Sequence, residues 1–286
     1  MGRIVGAAIV SHHPGLMRSK EERLKLGQGR DSDLIEGFER LRKRMDAVKP
    51  DTFVIFDTHW ITTGRHLVAG ADHYKGLYTS TEMPHILSRV PYDYAGAPEL
   101  ARLVEQVATE RGVTATNITE PTLSPQYATL NVLAKLGRGE RVLSVGTCQT
   151  ASMRHYLQMG EVIAEAIRRS DANAMLLASG ALSHVFNDFD YEPRNQRYYH
   201  PDNVADARWV EFDREIVDLM REGRHADVLD RYPTMRQAHY EGWGAHYLQM
   251  VAAIGGRDCH ARGTPCSEYE NAAGTGNIHV WFDLAA

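Results

Sequence analysis

Short apolar runs alternate with longer amphipathic stretches along this chain of 286 residues. Five runs have the length and composition of buried strands: residues 4–10, 52–56, 141–145, 174–178 and 277–282. Between them, apolar residues recur at the spacing of a helix face in residues 34–48, 98–112, 152–169 and most of 204–255. Strands that alternate with helices predict a single α/β domain over residues 1–286, in which helices flank a central mixed, mainly parallel sheet.

The ends of two of these helices carry recognisable signals. Asp33 followed three residues later by Glu36 resembles a capping box, so we expect Asp33 to be the N-cap of a helix, and Pro50 to end that helix. Pro98 fits the first turn of the next helix, and Gly112 fits its C-terminal end. These signals support a helical interpretation of the amphipathic stretches.

Composition narrows the class of protein. A hydrophobic fraction of 43% and a charged fraction of 24% are those of an ordinary globular chain. The net charge of −5 gives no general attraction to nucleic acid or to an anionic membrane, and no apolar run approaches the ~18 residues of a membrane span. We therefore expect neither a nucleic-acid nor a membrane partner. Three cysteines are too few for a disulfide framework and favour a cytoplasmic location.

Histidines follow three of the predicted strands. His12 (with its neighbour His13), His59 and His184 each lie within a few residues of a strand end. Ligands of open α/β sheets bind at the carboxyl ends of the strands, so we expect three imidazoles to converge if these strands are parallel. A single histidine in a loop is ordinarily a surface or hydrogen-bonding residue, and the inference depends on there being three.

A metal site would also need a carboxylate, and Glu241 is the best candidate because glycine flanks it in a segment that leads into a helix. An equally ordinary interpretation is a solvated glutamate favoured by the helix dipole. His12, His59 and Glu241 would form a two-histidine, one-carboxylate set, which suits non-haem Fe(II) and oxygen chemistry and also a zinc hydrolase. Since adjacent residues of an extended chain point opposite ways, His12 and His13 should not both be ligands.

Neighbouring polar side chains are expected to orient the imidazoles, as is usual around metal sites. The candidates from the sequence are Ser11, Asp57, Thr58 and Ser183.

Motifs of other metal and nucleotide sites are incomplete or missing. The sequence has no His-Glu-x-x-His segment, which argues against a zincin. His239-Tyr240-Glu241 matches half of a zinc-deaminase signature, but Cys266 is not followed by the second cysteine that this signature requires. Cys259-His260 with Cys266 has no Cys-x-x-Cys spacing and is a weak metal motif.

Four segments together resemble the class III extradiol ring-cleavage dioxygenases, the family of protocatechuate 4,5-dioxygenase beta subunits. The segments are Ser11-His12-His13-Pro14, Phe56-Asp57-Thr58-His59-Trp60, residues 71–80, and Ala178-Ser179-Gly180-Ala181-Leu182-Ser183-His184. Within the family the chain is most similar to the 3,4-dihydroxyphenylacetate 2,3-dioxygenase branch. The resemblance runs from Met1 to the turn at residues 274–277.

The resemblance implies an α/β fold, assembly as a homo-oligomer, and one Fe(II) per active site. Carried over by position, it makes His12 and His59 the histidine ligands, Glu241 the carboxylate ligand and His184 the acid–base residue. Tyr127 stands where protocatechuate-type members have a second active-site histidine. A tyrosine at this position agrees with the dihydroxyphenylacetate and 2-aminophenol branches.

The implied activity is Fe(II)-dependent extradiol cleavage, by O2, of a small catechol-type aromatic such as 3,4-dihydroxyphenylacetate. The same chemistry on a 2-aminophenol, a dihydroxypyridine or a hydroxypyridone is equally compatible with Tyr127. Alternatives of other classes are a zinc metallohydrolase and a non-catalytic binding protein. Further candidate substrate contacts are His13, Thr129, His239 and His246.

Overall fold

Residues 1–284, the part of the chain that the computed structural model describes, contain twelve strands and nine α-helices. The strands are β1 Arg3–Val10, β2 Thr52–Thr62, β3 His66–Ala69, β4 His73–Tyr78, β5 Val90–Ala95, β6 Ala115–Ile118, β7 Arg141–Cys148, β8 Asn173–Ser179, β9 Arg262–Pro265, β10 Glu270–Ala272, β11 Thr275–Asn277 and β12 Val280–Asp283. The helices are α1 Lys20–Leu26, α2 Asp33–Val48, α3 Pro98–Glu110, α4 Tyr127–Leu136, α5 Met153–Arg169, α6 Arg208–Arg221, α7 His225–Asp230, α8 Tyr232–Gln237 and α9 Ala245–Ala253.

Eight of the strands form one sheet in the order β6-β3-β7-β2-β8-β1-β12-β9. The four central strands, β7, β2, β8 and β1, are parallel to one another. On one side β3 joins β7 antiparallel and β6 joins β3 parallel, and on the other side β12 and β9 continue the sheet antiparallel. The predicted single α/β domain with a mixed, mainly parallel sheet is confirmed.

Helices cover both faces of the sheet, which explains why its central strands are apolar at successive positions. On β2, Val54 and Phe56 belong to the large core that contains α3, α5 and α9 side chains. Phe53 and Ile55 point to the other face and pack with α2 and α4 side chains. None of the described helices is long and apolar enough to cross a membrane.

Two local predictions were wrong. The α2 helix is capped by Ser32, whose hydroxyl accepts from the backbone N–H of Leu34, and Asp33 is the first helical residue. The predicted strand over residues 277–282 is divided between β11, which pairs with β10, and β12, which joins the main sheet. Each of the two short strands pairs with a different partner, which a continuous apolar pattern does not reveal.

The strand that contains His59 and the two strands that precede His12 and His184 are neighbours in the sheet, in the order β2-β8-β1. Because these strands are parallel, their carboxyl ends lie at the same edge. The topology therefore brings His12, His59 and His184 to one side of the molecule.

Candidate metal centre and active site

Two imidazoles and one carboxylate meet at this edge. His12 Nε2 lies 3.1 Å from Glu241 Oε1, and His59 Nε2 lies 2.7 Å from the same oxygen. One ligand atom from each of the three residues lies within 4.8 Å of the other two, as around a shared metal ion. This donor set of two imidazoles and a carboxylate fits a divalent transition metal and matches Fe(II) or Zn²⁺.

His12 follows the end of β1, and its ring is oriented by Ser179 at the end of β8. The Ser179 hydroxyl gives its single proton to the carbonyl oxygen of Ala128 at 2.7 Å, so it accepts from His12 Nδ1 at 2.9 Å. With Nδ1 protonated, the His12 ring can offer the Nε2 lone pair to a metal ion in place of the proton that Nε2 shares with Glu241. The backbone carbonyl of His12 is held in turn by the Asn131 side-chain amide at 2.7 Å.

His59 reaches the site because β2 is irregular there. The pairing of β2 with β7 jumps from Asp57 to Ile61, so that three residues of β2 have no counterpart. The Asp57 carboxylate accepts from the backbone N–H groups of His59 and Trp60, both at 2.8 Å, which stabilises the irregular segment. Thr129 donates to the other oxygen of Asp57 at 2.7 Å.

Glu241 opens a short 3-10 turn before α9, and left-handed backbone follows it. Gly242, Trp243 and Gly244 have φ values of 56°, 59° and 75°. Such values are unusual for tryptophan, and this turn directs the polypeptide from Glu241 into α9. The second oxygen of the Glu241 carboxylate accepts from the backbone N–H of Ala181.

The electrostatic environment keeps this carboxylate ionised. Burial alone would raise the pKa of Glu241, but the charge of His12 and the hydrogen bonds from His12 and His59 outweigh it and hold the pKa well below its usual range. An ionised glutamate between two imidazoles is the form that binds a divalent cation.

His184 lies beside the metal-binding group formed by His12, His59 and Glu241. It is half-buried, and its ring packs edge-on against Phe186 with 4.6 Å between the ring centroids. Its backbone N–H donates to the carbonyl of Ala238 at 2.9 Å. Burial lowers the pKa of His184, and the charge of Glu241 offsets part of this effect. The neutral imidazole is therefore the dominant form near pH 7, as a general base requires.

Tyr127 is the first residue of α4, and its ring covers the two histidine ligands. The centroid distances are 3.9 Å to His59 and 5.4 Å to His12. Its hydroxyl donates to Glu82 Oε2 at 3.1 Å. Burial and the charges of Glu241 and Glu82 raise the pKa of Tyr127, so it stays a neutral phenol.

Two cavities, of about 560 and about 80 Å³, adjoin the site and share His59, His184, Phe186 and Glu241 as lining residues. The smaller cavity adds His12, His13, Glu82 and Tyr127 to its lining. The larger one adds Arg236, His239 and Trp243, among others. The metal-binding group thus lies between a narrow space and a wider one that has room for an aromatic ring and a substituent.

Of the four further candidate substrate contacts, two line a cavity and two are fully buried. His13 and His239 line the smaller and the larger cavity, respectively. Thr129 is fully buried and acts on Asp57, as described above. His246 is also fully buried, in α9, and burial lowers its pKa to about 4. The positions of Thr129 and His246 suit support of the site better than contact with a substrate.

The residues that orient the imidazoles are not the ones that the sequence predicted. The Ser11 hydroxyl donates to Asn277 and the Ser183 hydroxyl donates to Asp213, so neither hydroxyl holds the ring of His12, His59 or His184. The residue that orients His12 is Ser179, which was not predicted. Glu82, which contacts Tyr127, was missed too, because it lies in a loop without any catalytic motif.

Fold and site together define a class: an α/β protein with a two-histidine, one-carboxylate metal site at the carboxyl ends of parallel strands. Residues 6–282 match the family described as the catalytic LigB subunit of aromatic ring-opening dioxygenase. The chain belongs to this family, and it is a ring-cleaving extradiol dioxygenase. The family resemblance found in the sequence is confirmed.

Individual relatives support the same family assignment. The chain is 30% identical over 265 residues to 3,4-dihydroxyphenylacetate 2,3-dioxygenase of Escherichia coli, covering 90% of this chain and 92% of the relative. It is 26% identical over 297 residues to the 2-aminophenol 1,6-dioxygenase beta subunit of Pseudomonas sp, covering 99% and 95%. The crystal structure of an uncharacterized protein from Escherichia coli K12 has the same fold, with a TM-score of 0.63, 17% identity, and coverage of 97% of this chain and 99% of that one.

Proposed function

We propose that the chain is an Fe(II)-dependent extradiol dioxygenase that uses O2 to cleave a catechol-type ring resembling 3,4-dihydroxyphenylacetate. The observation that carries this proposal is the convergence of His12, His59 and Glu241, with His184 and Tyr127 beside them at one cavity system. A binding protein without catalysis has no need for the last two.

Some of the site residues bind the metal ion, and others transfer a proton or orient the substrate. His12, His59 and Glu241 hold the ion, and a bound ferrous ion supplies the means to pass electrons from the ring to O2. His184 accepts the proton of a phenolic hydroxyl at its free imidazole nitrogen and returns it when the ring opens. Imidazole suits this double role because its two forms interconvert near neutral pH. Tyr127 covers the histidine ligands and orients the substrate through its hydroxyl.

The lining of the larger cavity favours a substrate whose ring carries a carboxylate side chain. Arg236, His239 and Trp243 all line this cavity, and the Arg236 guanidinium lies over the indole ring of Trp243, 6.0 Å from its centroid. A guanidinium group pairs well with a carboxylate. The E. coli relative is named for a substrate with such a group. 2-Aminophenol, after which the Pseudomonas relative is named, is the second candidate, and it would leave Arg236 unused.

Oxygen consumption tests the proposal. Protein loaded anaerobically with Fe(II) is mixed with 3,4-dihydroxyphenylacetate, 4-methylcatechol or 2-aminophenol in aerated buffer, and zinc-loaded protein serves as the control. We expect uptake of O2 with the iron-loaded form and faster turnover of the carboxylated catechol. Absence of O2 uptake with every ring, while iron analysis shows a filled site, would contradict the proposal. Oxygen-independent turnover by the zinc form would point to a hydrolase.

Assembly as a homo-oligomer is part of the same proposal. The Pseudomonas relative is named as a subunit, which supports assembly, and the family resemblance of the sequence implies that the copies are identical. Light scattering of the purified chain measures its mass in solution directly.

A further inference from the structure

The loop between β4 and β5, residues 79–89, brings an acidic side chain to the site. The Ser80 hydroxyl accepts from the backbone N–H groups of Glu82 and Met83, at 3.2 and 3.0 Å. The Ser80 N–H donates to the carbonyl of Leu87 at 2.9 Å, which closes the loop. Ser80 is itself buried, so the position of Glu82 is fixed by hydrogen bonds within the loop.

The same loop packs against Tyr127. Leu87 is fully buried and forms a small apolar cluster with Tyr78, Tyr127 and Leu130. Tyr78 ends β4, while Tyr127 and Leu130 lie on the first turn of α4. The loop and the N-terminal turn of α4 therefore form one packed unit, and Glu82 is anchored relative to Tyr127 by contacts at both ends.

The Glu82 carboxylate contacts Tyr127 and His59. Its Oε2 accepts from the Tyr127 hydroxyl at 3.1 Å and lies 3.5 Å from His59 Nδ1. The other nitrogen of His59 faces Glu241. An imidazole between a metal-binding position and an outer carboxylate is a common arrangement around metal sites, and the outer carboxylate fixes the ring and makes it a better ligand. Half of the Glu82 side chain is exposed, so the contact costs little desolvation.

We propose that Glu82 is a positioning residue of this active site: its carboxylate holds the Tyr127 hydroxyl and the Nδ1 edge of His59 in their working orientations. The role in turnover rests on the proposed function, whereas the role at His59 does not. The two contacts predict two separable effects, one on substrate turnover through Tyr127 and one on metal affinity through His59.

A double-mutant cycle tests the first effect. At saturating iron, Glu82→Ala is expected to lower kcat about 10-fold, the usual scale for an outer residue of a metal site, and Glu82→Gln less, because an amide oxygen still accepts from Tyr127. In a Tyr127→Phe background, Glu82→Ala should change kcat less than about twofold, because the shared hydrogen bond is already lost. Independent, multiplying effects of the two substitutions would overturn the assignment through Tyr127. Glu161→Gln, at an exposed position of α5, is the matched control.

Metal affinity tests the second effect without any turnover. Competition with a chelator for Co²⁺ should show that Glu82→Ala binds the ion about 10-fold more weakly than wild type, in the Tyr127→Phe background as well. Affinity equal to that of the Glu161→Gln control would overturn the role at His59. If wild type consumes no O2 with any ring, the proposed function fails, and this measurement still decides the inference. Thermal unfolding of each variant verifies that it is folded.

Discussion

Ser179 determines which nitrogen of His12 is available to a metal ion, since its hydroxyl proton is committed to Ala128. We expect Ser179→Ala to weaken binding of a divalent metal by about 10- to 100-fold, because the His12 ring loses the partner that fixes its tautomer. Chelator competition measures this. Ser170→Ala removes a hydroxyl that bonds only within its own turn, at the end of α5, and should leave the affinity unchanged. Equal affinity in both variants would show that Ser179 has no role in binding.

His184 has a different task from the ligands, and its replacement should separate proton transfer from metal binding. We expect His184→Ala to retain iron and to lose about 100-fold or more in turnover, the scale of a general acid–base residue. Iron analysis and O2 uptake on the same sample measure the two properties. Near wild-type turnover with a filled site would show that another group moves the proton.

At the scale of elements, the left-handed turn after Glu241 connects the carboxylate ligand to α9. Gly242 has a φ of 56°, and a Cβ there would lie 2.9 Å from Thr58 Cγ2. We expect Gly242→Ala to destabilise the fold by more than the ~1–2 kcal/mol of a left-handed alanine and to weaken metal binding. Gly64→Ala is the matched control, because its φ is 79° and its Cβ would meet nothing within 4 Å. Thermal unfolding compares them; equal losses would show that the close contact with Thr58 does not matter.

A buried carboxylate joins the segments that carry His184 and Glu241. Asp213, on α6, accepts from the hydroxyls of Ser183, Tyr240 and Tyr269 at 2.6, 2.8 and 2.7 Å. Burial raises the pKa of Asp213 to about 6 against these hydrogen bonds, which lower it. The folded protein thus holds this proton more tightly than the unfolded chain does, so the associated stability is complete below about pH 4 and is lost as the pH rises through 6.

The Asp213→Asn variant cannot titrate at this position and lacks that dependence. The free energy of unfolding of wild type, relative to the variant, should therefore fall by about 2.4 kcal/mol between pH 4 and pH 7. Urea unfolding at several pH values measures this difference. A difference that stays constant or grows with pH would show that Asp213 is ionised throughout.

At the scale of the whole molecule, the sequence predicts those features of the fold and the site that depend on local sequence pattern alone. The apolar runs of β1, β2 and β8 and the histidines that follow them place the site, because parallel topology brings strand ends together. The partner of His12 is 167 residues away in the sequence. Its identity depends on which residue of β8 lies beside β1, and no local pattern records that. Glu82 is hidden for the same reason, since only the packing of its loop on α4 brings it to Tyr127.

The metal site joins parts of the chain that are distant in sequence, so metal binding should stabilise the whole fold. His12 follows β1, His59 lies in β2, and Glu241 precedes α9. An ion that binds the folded chain alone adds about 2.7 kcal/mol at a free concentration of 100 times its Kd. This corresponds to a rise in Tm of roughly 5 °C for a domain of this size. We expect chelation of the metal to lower the Tm by that amount in wild type and to have no effect on His59→Ala. Because both proteins experience the same chelator, an equal shift in the two would mean that the ion acts elsewhere on the molecule.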